Sequence, residues 1–241
     1  MSVLRVEKIA KTFALSHNGG GSLKTALLWW KRRKLEKLEV LREISFEVQP
    51  GECVALVGKN GAGKSTLLSL IAKVYKPSSG SIRVDGRLAP LLELGAGFHP
   101  DLTGAENILF NGVILGLTRQ ETRNRMAEIV AFSGIGSHID APVRTYSSGM
   151  LARLGFSIAV HVDADLLIVD EVLAVGDFEF EQKCFQRLKE FRTAGGAILF
   201  VSHDTDSVSR IADRAIWLEQ GTVRLSGPTE EVLRGYLSGV V

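Results

Sequence analysis

The stretch Gly58-Lys59-Asn60-Gly61-Ala62-Gly63-Lys64-Ser65-Thr66 constrains this chain more than any other. It fits G-x-x-x-x-G-K-[ST], follows the apolar run Cys53–Val57, and opens a segment of helical pattern over residues 67–72. Glycines let a backbone fold tightly around an anion, with its N–H groups turned inward. The helix behind such a loop presents the positive end of its dipole to the same anion. On this reading Gly58 to Thr66 cradle nucleotide phosphates, Lys64 reaches the β- and γ-phosphates, and Ser65 ligates Mg²⁺.

A chain of 241 residues holds one large α/β domain or two small ones. Its net charge of +2 gives no electrostatic case for nucleic acid as a partner. The two cysteines, Cys53 and Cys184, form no CxxC, and Cys53 lies in a strand-like run, which suits a buried thiol. The N-terminus is patterned as a strand rather than as a signal peptide. No apolar run approaches the roughly 18 residues of a membrane span. The expectation is a chain soluble by itself, meeting a membrane only through a partner or a surface helix.

Residues 4–9 and 44–48 alternate as strands, and Pro50-Gly51 turns the chain. Cys53–Val57 is apolar throughout, as in a parallel strand buried on both faces. A further strand is expected at 81–84, and the pattern is mostly helical from 103 to about 161. Buried-strand runs return at 165–170 and 197–201, each followed by a helical pattern. Gln220-Gly221 lies between two strand-like segments as a hairpin turn, and 231–236 reads as a closing helix. Strands alternating with helices around a phosphate loop argue for a parallel-sheet nucleotide-binding core, with the central helices as an inserted subdomain. After Asn18-Gly19-Gly20-Gly21-Ser22, residues 23–40 read as a basic helix with Leu23, Ala26, Leu27 and Trp30 on one face. That face suits either a lipid headgroup boundary or packing on the core.

Leu166-Leu167-Ile168-Val169-Asp170-Glu171 is an apolar strand ending in two carboxylates. Beside a phosphate loop, such a strand end is where Mg²⁺ and an attacking water belong. Asp170 is assigned to the metal, and Glu171 to polarising the water that attacks the γ-phosphate. Ser202-His203-Asp204 ends the next buried strand, placing the His203 imidazole to bond a γ-phosphate oxygen. Tyr146-Ser147-Ser148-Gly149-Met150 opens a helical run and by itself reads as an ordinary N-cap.

In this order, the phosphate loop, the Ser147-Ser148-Gly149 helix start, the strand ending in Asp170-Glu171, and Ser202-His203 make the chain resemble an ABC-type ATPase subunit over nearly its full length. The resemblance implies an α/β fold: a P-loop NTPase (RecA-like) parallel-sheet core, an N-terminal antiparallel β subdomain and an inserted α-helical subdomain at about 95–162. Residues 1–241 would be one nucleotide-binding domain, with 18–41 as a helical insertion between its first two strands. In that family two cassettes sandwich ATP head to tail. Carried over, Ser147, Ser148 and Gly149 contact the nucleotide in trans, Asp177 stands near the dimer interface, and Phe13 stacks on adenine. The family's usual glutamine is missing after residue 91, and Glu93 is the nearest residue to take its role, a possible metal contact.

The signature Tyr146-Ser147-Ser148-Gly149-Met150, the segment from Leu91 to Gly104, and Glu171-Val172-Leu173-Ala174-Val175-Gly176-Asp177 resemble cassettes that export lipid-linked polysaccharides. The resemblance implies an ATPase working with Mg²⁺, a second copy of itself and a transmembrane permease at the cytoplasmic face of a bacterial inner membrane. It further implies O-antigen as the cargo, handled through the permease, with 23–40 near the membrane surface and no nucleic acid as partner. Ending at Val241, the chain is expected to be a short form without a carbohydrate-binding domain, or a longer protein cut after its cassette. Rival readings are a transporter of other cargo (teichoic acid, capsule, lipid, drug or ion), a soluble ABC ATPase acting on DNA or ribosomes, and a nucleotide-binding module without turnover.

Overall fold

A computed structural model describes residues 2–15, 36–91, 97–170, 177–202 and 204–239. Strands β1 (Leu4–Leu15), β2 (Glu36–Val48) and β4 (Ser79–Val84) form an antiparallel three-stranded sheet in the order β2-β1-β4. A second sheet of six strands runs β5-β6-β7-β3-β8-β9. Its members are β3 (Cys53–Val57), β5 (Leu88–Leu91), β6 (Leu166–Asp170), β7 (Ala197–Val201), β8 (Arg214–Glu219) and β9 (Thr222–Pro228). The first five strands of that order pair in parallel, and β9 returns antiparallel to β8 through the turn at Gln220-Gly221.

Strand β3 explains why its sequence shows no alternation: both faces are covered. Val54 and Leu56 pack with Leu67, Leu68 and Ile71 of helix α1 (Lys64–Ile71) and with Ile9, Leu41 and Ile44 of the antiparallel sheet. Cys53, Ala55 and Val57 face the other way, toward Phe156, Phe180 and Leu188. Each large apolar side chain buried in this way contributes about 1.5–3 kcal/mol. Burial pushes the Cys53 thiol up to about 12 and the Cys184 thiol likewise to about 12, so both stay protonated and inert.

Between β5 and β6 lie helices α2 (Gly104–Ile114), α3 (Arg119–Ser133) and α4 (Ser148–Ala159). They have a core of their own, built on Ile108, Ile129, Val143, Leu154 and Ile158. Reciprocal capping boxes start two of them, Thr103 with Glu106 and Thr118 with Glu121, and satisfy N–H groups that a helix end leaves unpaired. Helices α5 (Phe178–Thr193), α6 (Thr205–Ile211) and α7 (Thr229–Ser238) complete the described chain.

The helix expected over 23–40 is corrected at its C-terminal end. Glu36 to Val40 belong to β2, paired with β1 from Leu15↔Glu36 through Thr12↔Glu39. Cross-strand pairing overrode a local pattern of Leu, Glu and Lys that suits helix equally well. Residues 16–35 lie outside the described residues, as does the rest of that expectation.

Candidate nucleotide site

The phosphate loop leaves β3 at Gly58, where φ is +154° and a side chain would run into the Leu218 carbonyl. It enters α1 at Gly63, where φ is +104° and a Cβ would stand 2.6 Å from Leu41 Cδ2. Only glycine suits such backbone at such close approach. The turn between β8 and β9 fixes the loop from outside: Gly221 N donates to Ala62 O at 3.1 Å, and Arg42 N donates to Gly221 O at 2.8 Å. Helix α1 has no side-chain cap at Gly63. Its first N–H groups are thus available to an anion together with the helix dipole.

Lys64 is 8% exposed. Its Nζ donates to Gly58 O at 2.6 Å and to Lys59 O at 3.2 Å, which holds the ammonium across the loop. A cleft of about 390 Å³ opens there, lined among others by Asn60, Gly61, Lys64, Ser65, Thr66 and Asp170. Sheet order brings these groups together: β6, β7 and β3 are neighbours and parallel, so Asp170 and the loop emerge at the same end. The Ser65 hydroxyl and the Asp170 carboxylate are hard oxygen donors on one cleft. That set fits Mg²⁺, which takes one or two protein oxygens and fills its octahedron with phosphate and water.

Strand β6 leads directly into Glu171, and β7 into Ser202, which is 6% exposed and accepts Asp204 N at 3.0 Å. Glu171, His203 and Glu93 themselves lie outside the described residues. Ser147 caps α4 by accepting Met150 N at 3.2 Å, and Ser147 and Ser148 are exposed. A Cβ at Gly149 would meet nothing closer than Ser147 Oγ at 3.9 Å, so this helix start is open. It does not line the phosphate cleft of its own chain. Asp177 caps α5 through Phe180 N at 2.9 Å. Phe13 stands on β1 opposite Leu38, two residues along β2 from Val40 at the cleft.

Residues 41–174 match the ABC transporter family. The chain belongs to the ABC transporter family. It is 48% identical over 238 residues to the O-antigen export system ATP-binding protein RfbB of Klebsiella pneumoniae, covering 97% of each chain. It is 42% identical over 234 residues to the teichoic acids export ATP-binding protein TagH of Lactococcus lactis, covering 97% of this chain and 50% of that one. Among solved structures, a dimeric ATP-binding cassette bound to ADP and Pi superposes with a TM-score of 0.76 at 20% identity, covering 94% of this chain and 98% of that one. The α/β cassette architecture expected from the sequence is the fold found.

Several groups that support the fold around the site carry weaker sequence signals. Asn107 is fully buried; its Nδ2 donates to the carbonyls of His99, Leu102 and Thr103, and its Oδ1 accepts His99 N at 2.8 Å. Only the T-x-x-E box around it was there to be read. Arg153 and the ring pair Phe13–Tyr75 join residues too far apart in sequence for any local pattern to reveal.

Proposed function

We propose that this chain is the ATP-hydrolysing subunit of an exporter that moves lipid-linked polysaccharide, O-antigen in the first instance, across a bacterial inner membrane. The observation that carries the ATPase reading is Lys64, Ser65 and Asp170 on one cleft at the mouth of a glycine loop. The 48% identity to an O-antigen export protein over 97% of both chains supports the cargo.

Phosphoryl transfer to water needs positioning and charge stabilisation rather than covalent catalysis. The loop N–H groups and Lys64 hold the β- and γ-phosphates in place. Glu171 orients the attacking water and accepts its proton, and His203 bonds a γ-phosphate oxygen. Ser65 and Asp170 would hold Mg²⁺, which would supply positive charge against the phosphate oxygens. The exposed start of α4 completes the site in a second copy, its Ser147, Ser148 and Gly149 meeting the γ-phosphate from across the dimer. Asp177 stands near that interface.

The permease docks beside α2, where Phe110, Val113 and Ile114 are 48%, 46% and 60% exposed next to a groove that reaches Phe98 and Ile158. No helix among the described residues is long and apolar enough to cross a membrane. Membrane association is assigned to that partner, with the part of 23–40 that precedes β2 near the surface. A second reading, teichoic acid as cargo, rests on the 42% identity to a teichoic acid export protein.

Expression in a strain deleted for its own O-antigen cassette tests the proposal. Restored surface polysaccharide, lost again with Lys64→Ala, is the expected result. Rescue of a teichoic acid exporter deletion alone would reassign the cargo, and absence of Mg²⁺-dependent phosphate release from ATP would remove the ATPase reading.

A further inference from the structure

Tyr75 lies on the segment that leaves α1, the helix whose other end forms the phosphate cradle. Val74 N and Tyr75 N both donate to Ser69 O, at 2.8 and 3.2 Å, which ties the segment back to α1. Ser78 N donates to Ala10 O and Thr12 N to Ser78 Oγ, which clips it to β1. So fixed, the Tyr75 ring meets Phe13 at 5.6 Å between centroids with 84° between planes. The Lys11 ammonium lies 4.8 Å from the Phe13 centroid and 5.5 Å from that of Tyr75, and is itself held by Lys76 O at 2.8 Å. It covers one face of Phe13. Phe13 is half-buried, and Leu38 opposite it is 49% exposed, so among the described residues an exposed apolar side chain flanks the ring.

We propose that Tyr75 and Lys11 are positioning residues that brace the Phe13 ring from one side, leaving its other face to a purine. This rests on the nucleotide-site reading above. Along β2, Leu38 is about 7 Å from Val40 at the phosphate cleft, a separation a nucleotide spans between base and phosphates. Because α1 carries the phosphate cradle at one end and Tyr75 just beyond the other, base seat and phosphate seat keep a fixed spacing. Edge-to-face and cation–π contacts hold a ring whose rotation would otherwise oppose stacking.

Calorimetric titration of the whole chain with ATP and with inorganic tripolyphosphate, both with Mg²⁺, tests this. Tyr75→Leu and Lys11→Met are each expected to weaken ATP binding about threefold to tenfold, raising KM and sparing kcat, with tripolyphosphate affinity unchanged. Unchanged tripolyphosphate binding also reports an intact fold. Equal loss for both ligands would assign the pair a merely structural role and overturn the proposal. Wild-type ATP affinity in both variants, with Phe13→Ala weakened, would overturn the brace and leave the base seat standing. Wild-type affinity in Phe13→Ala would sink the base seat and the brace with it.

Discussion

Arg153 Nη1 on α4 lies 3.6 Å from Asp177 Oδ2 at the start of α5, and the same guanidinium stands 4.8 Å from the Phe180 ring while its Nε donates to Ser133 O at 2.9 Å. One side chain therefore ties the helix that begins at Ser147 to the cap of the helix that follows β6 and to the end of α3. The carboxylate is 65% exposed, so the ion pair itself contributes little. The hydrogen bond and the ring contact carry the weight. Arg153→Met is expected to cost about 2 kcal/mol, whereas Asp177→Asn, which keeps an N-cap, costs a few tenths, roughly. Urea unfolding of both variants checks the contrast; equal losses would show that the ion pair, not the ring and carbonyl, holds the joint.

Lys64 is where ground-state nucleotide binding is expected to fail. Lys64→Ala should weaken ATP binding about tenfold or more, as for loss of a charge-assisted bond. Fluorescence titration with a labelled ATP reads this directly. Unchanged affinity would mean the loop does not cradle phosphate.

Glu171 is expected to separate binding from turnover. Glu171→Gln should keep ATP affinity, lower kcat by about a hundredfold or more, and accumulate a nucleotide-bound dimer on size exclusion. A variant that turns over at the wild-type rate would take Glu171 out of the reaction.

His161 follows α4, its Nδ1 donating to Ser157 O at 2.6 Å and its ring edge-on to Phe132 at 5.4 Å. Burial holds its pKa below the ordinary value; Arg187 and Arg125 push the same way, against the Ser157 carbonyl and Glu128. The folded chain therefore binds a proton less readily at this site than the unfolded chain. Stability from this group is complete above about pH 6.5 and declines as pH falls below that, toward the folded pKa. His161→Asn should flatten this part of the decline as pH falls below about 6.5, measured by chemical denaturation. Equal declines in both proteins would place the acid sensitivity elsewhere.

The sequence displayed the parts of this molecule whose physics is local. The loop from Gly58 to Thr66 declares itself because a backbone folded around phosphate admits few residues. Cys53–Val57 and Ala197–Val201 declare themselves because strands covered on both faces are apolar throughout. Strand β5 was not legible: Leu88-Ala89-Pro90-Leu91 is too short to show a period, and its proline fits the edge position it holds. Residues 36–40 misled because Leu, Glu and Lys suit helix as well as strand until β1 lies alongside. Tyr75 beside Phe13 and Arg153 beside Asp177 are products of tertiary packing, separated by 62 and 24 residues in the chain.

The buried amide of Asn107 has a mechanical consequence. By bonding three carbonyls of residues 99–103 and one N–H, it welds that stretch to α2. Load applied there by a docked neighbour cannot be absorbed by a yielding loop. On the docking proposed above, such load would pass to the three-helix block, whose shared core also carries the helix that begins at Ser147.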